Sequence, residues 1–471
     1  MARTPLAAGT MIDDFLLEQG LHQGSAAAVW RVSHPDFADP IVMKVPVLDS
    51  GGDSSLLVGF EVEQMIMAEL SGPHVPRLVA TGDFTVQPYI VMEYVAGLSL
   101  ARRLAEPPIA LDEVIRGVMA LAEAVGDLHQ QHVLHLDLKP ASVLFREQGV
   151  AVIIDFSRSR HEHLPDLLAE QGRGPAGATE YMAPEQLLSV RSDKRSDIFA
   201  LGAIAYHMAT GELPFGKPAR VKDVRRRVWR DPVPPRKLRP EIGAGLQEVI
   251  LKCLEPIPDR RYATAEELSF DLRHLDLVEL TERAGRAERA DMRTTVGRWL
   301  RARGTMTAIA AASAKPALRA PIILVVIDLQ PGLDQLRRAL LEAAASVMAN
   351  MPGARLACLN VIEDSQRAGD GKADSDRGNV HIDRMIKLRS WAQPLQLPRG
   401  KVTYHLVESR NLARGVLDFA KSNKVDHLVV GAPHASGAAA NKLTMHITSA
   451  APCTVTVVRT ADQGRIAEAK T

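Results

Sequence analysis

Cysteine is scarce in this chain. Three are present, Cys253, Cys358 and Cys453, about a hundred residues apart and in no Cys-x-x-Cys pair. That spacing suits neither a zinc site nor a disulfide framework and fits a reducing compartment. An apolar stretch of membrane length is also lacking: the longest aliphatic run, Ile322 to Ile327, is far short of the ~20 residues that cross a bilayer. Met1 to Thr10 has no apolar core of signal-peptide length. The expectation is a soluble, cytoplasmic protein with no membrane anchor of its own. Excess charge of one sign is missing too. Against 57 Lys and Arg stand 56 Asp and Glu, which gives no electrostatic reason to expect nucleic acid as the ligand.

What is present is an ordinary globular sequence. It has 471 residues, 46% hydrophobic and 24% charged, more than one core usually organises, so two or three domains are expected. From about Ile12 to Leu98, short β-rich runs (Ala28 to Val32, Ile41 to Val45, Tyr89 to Tyr94) surround one helical stretch near Phe60 to Leu70, which reads as a small sheet carrying one helix. From about Ala110 to Leu277 the apolar spacing turns to 3.6, as in Leu111 to His129, Ile198 to Ala209 and Leu246 to Leu254, and a helical lobe is expected. Residues 278–320 then bring eight Arg and the Ala-rich run Ala308 to Ala314, read as a solvated linker with some helix. From Pro321 to about residue 460 strands (Ile322 to Ile327, Leu356 to Val361, Leu428 to Val430, Thr454 to Val458) alternate with helical patterns such as Leu333 to Ala349, which implies an α/β domain with a parallel sheet.

Short charged segments stand out in order along the first part. Lys44 ends the β-rich run Val42-Met43-Lys44-Val45, and Glu63 follows on the expected helix, where the two can pair. The segment His135-Leu136-Asp137-Leu138-Lys139-Pro140-Ala141-Ser142 comes next, then Asp155-Phe156-Ser157, Ala183-Pro184-Glu185 and Asp197-Ile198-Phe199-Ala200-Leu201-Gly202. A lysine, carboxylates fit for a metal and a base, in this order, are the parts that phosphoryl transfer requires.

On these motifs residues 12–277 resemble the eukaryotic-type protein kinase family. The resemblance implies a bilobal α+β fold, with a small β-rich N-lobe over about 12–96 and a helical C-lobe over about 97–277. It implies ATP and Mg2+ as cofactors and protein Ser/Thr hydroxyls as substrates, since Lys139 two places after Asp137 marks the Ser/Thr branch. By position it assigns Asp137 as the base, Lys139 to the γ-phosphate, and Asp155 and Ser142 to magnesium. Lys44, aimed by Glu63, meets the α and β phosphates. Gly24, Ser25 and Ala26 form the phosphate loop, Met92 is the gatekeeper, and the backbone of Glu93 and Val95 meets adenine. Glu185 paired with Arg261, and Asp197 bracing the catalytic loop, are structural.

The family pattern is broken in several places. His22, Gly24 and Ala27 occupy the three glycine positions of the phosphate loop, so one glycine remains. Ser142 replaces an asparagine with a shorter oxygen ligand, Ser157 replaces the glycine after Asp155-Phe156, and Ala178 stands where a threonine hydroxyl is usual. Leu136 replaces an arginine that receives the activation-loop phosphate, and His161 to Gly177 contains no Ser, Thr or Tyr. Activity independent of activation-loop phosphorylation is therefore expected. The same departures leave open a second reading, a pseudokinase that serves as scaffold or sensor.

Residues 321–460 resemble the universal stress protein family through Ile322 to Asp328 and the closing Val430-Gly431 to Val458. In that family Gly-x-x-Gly, nine residues and Gly-Ser or Gly-Thr surround the phosphates. Here the register runs from Gly431 to His434 and on to Thr444-Met445, with two glycines missing. Asp328 either meets adenine, as in ATP-binding members, or caps the following helix or turn. The domain is read as a sensing module or a homodimer contact through its last strand, not as a second ATP site, and the whole chain as part of stress-related signalling. His161 and His163 flank Glu162 at metal-ligand spacing, but no Cys or further His lies nearby in sequence, so no metal is expected there.

Overall fold

A computed structural model describes residues 6–24, 26–47, 54–84, 87–106, 108–171, 177–218, 220–288, 292–313, 320–363, 377–398, 400–432 and 438–459. The first lobe is a six-stranded antiparallel sheet of β1 (Met11–Ile12), β2 (Phe15–Gln23), β3 (Ala27–His34), β4 (Phe37–Pro46), β5 (Leu78–Thr81) and β6 (Ile90–Glu93), in the order β1-β2-β3-β4-β6-β5. One helix, α1 (Ser54–Met67), lies against it. Strand β2, whose outer half is polar, carried no β-rich signal in the sequence. Alternation along β4 sends Ile41, Met43 and Val45 into a core with Leu17, Tyr89 and Val91, and the same pleat turns Lys44 to the opposite face, toward α1.

The helical lobe follows with α2 (Leu100–Leu104), α3 (Leu111–Gln130), β7 (Val133–Leu134), β8 (Val143–Phe145), β9 (Ala151–Ile153), β10 (Arg160–His161), α4 (Leu167–Glu170), α5 (Arg195–Thr210), α6 (Pro235–Leu238), α7 (Ala244–Cys253) and α8 (Ala265–Arg273). In α3 the buried Val114, Val118, Leu121, Val125 and Leu128 recur at steps of four and three, one stripe of an amphipathic helix. Helix α5 is buried almost all round, from Ser196 to Ala209, and is the centre of this lobe. Short 3-10 turns at Pro140–Ser142, Pro184–Leu188, Val221–Val228 and Pro258–Arg260 connect these elements.

The Arg-rich segment is not simply solvated. It forms α9 (Glu282–Gly285) and α10 (Met292–Ser313), and both lie on the helical lobe. Arg283 bonds Glu248 at 2.8 Å and Glu255 at 3.0 Å, Ile309 is fully buried, and Arg195 donates to the Ala312 carbonyl at 3.0 Å. The buried carboxylate of Glu248 requires a cation, which Arg283 supplies.

The last domain is a five-stranded, all-parallel sheet of β11 (Ile322–Val326), β12 (Arg355–Glu363), β13 (Val402–Ser409), β14 (His427–Gly431) and β15 (Thr454–Val458), ordered β13-β12-β11-β14-β15. Helices α11 (Asp334–Ala349) and α12 (Arg377–Ala392) contribute to the core on one face, and α13 (Leu412–Ser422) and α14 (Ala438–Ala450) to the core on the other. Parallel strands buried on both sides read as continuous apolar runs, which is the pattern of Ile322 to Val326. Among the described residues no helix is long and apolar enough to cross a membrane.

Candidate active site

Five of the singled-out side chains form one chain of charge between the two lobes. From β4, Lys44 places its Nζ 2.8 and 2.6 Å from the two carboxylate oxygens of Glu63 on α1, and 3.3 Å from Asp155 Oδ1. From the turn after β7, Lys139 Nζ lies 2.7 Å from Asp137 Oδ2 and 3.6 Å from Asp155 Oδ2. Asp155 stands just past β9 with φ of 68°, a left-handed conformation that aims its carboxylate between the two lysines.

The charges of this chain sustain one another. Burial alone would raise the Asp155 carboxyl, but Lys44, Lys139 and a hydrogen bond from the Ser157 hydroxyl (2.8 Å) outweigh it and hold the group well below the usual carboxylate range. Burial works against the charge of Lys44, yet Glu63 and Asp155 raise it above its ordinary value. For the fully buried Glu63, burial pushes the carboxyl up against the pull of Lys44. Lys139 is likewise raised by Asp137 over the opposing effect of burial.

The surrounding backbone is tightly held. Asp197 on α5 accepts the His135 and Leu136 N–H groups at 2.9 and 2.8 Å and lies 2.9 Å from His129 Nε2. Its burial would raise the carboxyl, and these partners bring it below its ordinary value. Glu185 and Arg261 pair at 2.7 and 2.8 Å with both side chains wholly buried. Leu136 sits at φ of 60° with its side chain buried, and its carbonyl accepts from Gln186 at 2.7 Å.

Other singled-out residues make local hydrogen bonds of their own. Ser142 is buried and its hydroxyl is committed within its own turn, accepting from Lys139 N–H at 3.1 Å and donating to the Lys139 carbonyl at 2.8 Å. The Gly24 N–H closes the β2–β3 hairpin onto the Ala27 carbonyl at 3.0 Å, and the Ala26 carbonyl accepts from Val47. Ser25 and His434 lie outside the described residues. The Glu93 N–H donates to the Arg77 carbonyl and its carboxylate pairs with Arg146, while Val95 is buried just beyond the strand.

Several contacts had no signal in the sequence. The Ala178 N–H donates to Asp137 Oδ1 at 2.7 Å, whereas the Thr179 hydroxyl turns to Glu180. Arg227, buried, donates to the carbonyls of Thr179, Glu180 and Met182 and so pins the segment that follows; its burial pushes the guanidinium down to about 9. Asp166 caps α4 and pairs with Arg191 at 2.9 Å and with Arg160 at 3.9 Å. His132 joins His161 and His163, with ring centroids 4.4 to 6.3 Å apart. Among the described residues, no group of three or more His, Cys, Asp or Glu is arranged to hold a metal ion.

In the last domain Asp328 accepts the Gln330 N–H at 3.0 Å, the local turn that was one of its two expected fates. Gly431 ends β14 facing the side chain of Leu336, whose Cδ2 would lie 2.9 Å from a Cβ built there. Met445 is exposed, whereas Thr444 is buried.

The family model of the protein kinase domain matches residues 15–271, more than half of the chain. The chain belongs to the protein kinase family. Residues 321–459 match the universal stress protein family, so the kinase domain is followed by a universal stress domain. Among curated relatives, "Serine/threonine-protein kinase PknB" of Mycolicibacterium smegmatis is 32% identical over 237 residues, 49% of this chain and 38% of that protein. PknB of Mycobacterium tuberculosis is 31% identical over the same shares. "Probable serine/threonine-protein kinase PknB" of Lactococcus lactis is 28% identical over 263 residues, 55% of this chain and 42% of that protein. The chain thus spans less than half the length of these relatives. The solved kinase domain of M. tuberculosis PknI is 24% identical with a TM-score of 0.47, covering 58% of this chain and 100% of that one.

Proposed function

We propose that this protein is a Ser/Thr kinase that transfers the γ-phosphoryl group of MgATP to protein hydroxyls. The observation that carries the reading is the unbroken line Glu63, Lys44, Asp155, Lys139 and Asp137, in which successive groups lie 2.6 to 3.6 Å apart across the lobes. In this reading Asp137 accepts the proton of the substrate hydroxyl, Lys139 neutralises the moving phosphoryl group, and Lys44, held by Glu63, orients the phosphates. The Glu93 and Val95 backbone receives adenine, and Gly24 to Ala26 cover the phosphates. Asp155 would hold magnesium, which would supply charge neutralisation for the phosphates. The fit is good at Asp155, whose carboxylate stays ionised, and poorer at Ser142, whose hydroxyl already makes two hydrogen bonds. Metal is therefore assigned chiefly to Asp155.

Activity is proposed to be independent of activation-loop phosphorylation. Leu136 offers no cation, and the guanidinium of Arg191 is already paired with the Asp166 carboxylate. The commitment of Ser142 favours the second reading, that of a pseudokinase acting as scaffold or sensor. Transfer of labelled phosphate from ATP to a Ser/Thr substrate by the full chain separates them: it is expected in the wild type and lost in Asp155→Ala.

Stress-related signalling in the cytoplasm, with the universal stress domain as sensor, is part of the proposal. The three free thiols suit a reducing compartment. A homodimer through β15 is compatible with the topology, because β15 is an edge strand. Sedimentation of the full chain tests that dimer.

A further inference from the structure

Two carboxylates of the kinase domain are buried at places where, among the described residues, no cation of that domain meets them. Glu61 lies on α1 two residues before Glu63, and Glu170 is the last residue of α4 in the activation segment. Each is met instead by the universal stress domain. Arg389 on α12 donates to Glu61, and its guanidinium lies between two rings, 4.4 Å from Phe84 of the kinase domain and 4.7 Å from Tyr404 of its own. Phe84 in turn packs edge-on against Phe60 of α1 at 6.2 Å. Arg389 therefore grips α1 twice, once through charge and once through the aromatic pair.

The second contact holds the activation segment. Arg355 of β12 and His405 of β13 converge on the Glu170 carboxylate, the latter at 3.1 Å, and Asn423 donates to the Glu170 carbonyl at 2.9 Å. Helix α4 packs against α1, so both contacts act on one unit. They employ the β13 side of the sheet and leave β15 at the far edge. A buried carboxylate that loses its cation is strongly disfavoured, so the docked domain and the present position of α1 stabilise each other.

We propose that the universal stress domain is a positioning element of the phosphoryl-transfer site: through Arg389 on Glu61, seconded by Arg355 and His405 on Glu170, it keeps Glu63 on Lys44. This inference rests on the kinase reading for its activity readout but not for its structural one. Arg389 and Glu61 are positioning residues, since neither touches the reacting groups.

The test compares Arg389→Glu, Glu61→Arg and the double charge swap in the full chain. Two quantities are read: kcat and the KM for ATP with a generic Ser/Thr substrate, and amide hydrogen exchange over α1 and residues 160–171. Each single reversal lowers kcat about tenfold and accelerates exchange in both segments, and the swap, which re-forms the ion pair but not the contact of the guanidinium with the Phe84 and Tyr404 rings, recovers part of both. Arg389→Gln, which removes the charge without reversing it, replaces Arg389→Glu if that variant does not fold. Unchanged exchange in the single variants, or a swap no better than either of them, overturns the proposal. If the wild type transfers no phosphate, the kinase reading fails, and the exchange data still decide whether the domain holds α1.

Discussion

The backbone N–H of Ala178 donates to Asp137 Oδ1 at 2.7 Å. The family hydroxyl lost at this position is thereby replaced in part by main chain, which explains how the carboxylate can remain oriented without it. The neighbouring Gly177 makes this approach sterically feasible: its φ is 137°, and a Cβ there would sit 2.6 Å from the same oxygen. Gly177→Ala should therefore displace Asp137 and lower kcat by about 10²-fold, with little change in the melting temperature. Steady-state kinetics beside a thermal melt checks this, and a proportionate loss of both would point to misfolding instead.

Ser157 illustrates a gain where the sequence suggested only a loss. Its hydroxyl donates to Asp155 Oδ1 at 2.8 Å, and a hydrogen bond to a charged group is worth about 1.5–3 kcal/mol. Ser157→Ala should weaken the hold on the Asp155 carboxylate and raise the Mg2+ concentration needed for half-maximal activity by about tenfold. A magnesium titration at fixed ATP is the measurement, and an unchanged midpoint would contradict the role.

Glu185 and Arg261 are a buried pair, and Arg261 also lies over the Phe199 ring at 4.9 Å. Removing one partner leaves an uncompensated charge in the core, which costs about 3–5 kcal/mol. Arg261→Met is expected to unfold the helical lobe at clearly lower urea concentration, while Arg273→Met, which breaks the exposed pair with Glu123, should cost less than about 1 kcal/mol.

Domain docking should depend on pH in the acid range. Burial raises the Glu170 carboxyl, but His405 and Arg355 outweigh it, so its folded value lies below the ordinary 4.5. A group depressed in this way contributes fully above its ordinary value, and the contribution is lost as pH falls through that value toward the folded one. Protection over residues 160–171, referred to the intrinsic exchange rate at each pH, should be high at neutral pH and fall below about pH 4.5. In Glu170→Gln it should already be low at pH 7, with the fall abolished.

How much of this was legible in the sequence depends on where the partners lie. Asp137, Lys139 and Asp155 could be singled out because each sits in a short motif with recognisable neighbours, and the structure brings the three together. The strand and helix that bring Lys44 to Glu63 were visible in the apolar pattern. Contacts made across long separations were not: nothing in the spacing couples Glu61 to Arg389 or Glu170 to Arg355, and the cations that satisfy these carboxylates belong to another domain. The Arg-rich segment looked solvated because composition does not reveal that Glu248 is buried and awaiting Arg283. Ser142 could be recognised as a substitution, but the closing of its hydroxyl onto Lys139 is a property of the turn.

The measurement that bears most directly on the central claim is phosphoryl transfer by phosphatase-treated full chain beside Asp137→Ala. Wild-type protein stripped of phosphate should label a Ser/Thr substrate from ATP and Mg2+ at essentially its untreated rate, and Asp137→Ala should fall by at least about 10³-fold. No transfer by the wild type, or equal transfer by Asp137→Ala, would contradict it.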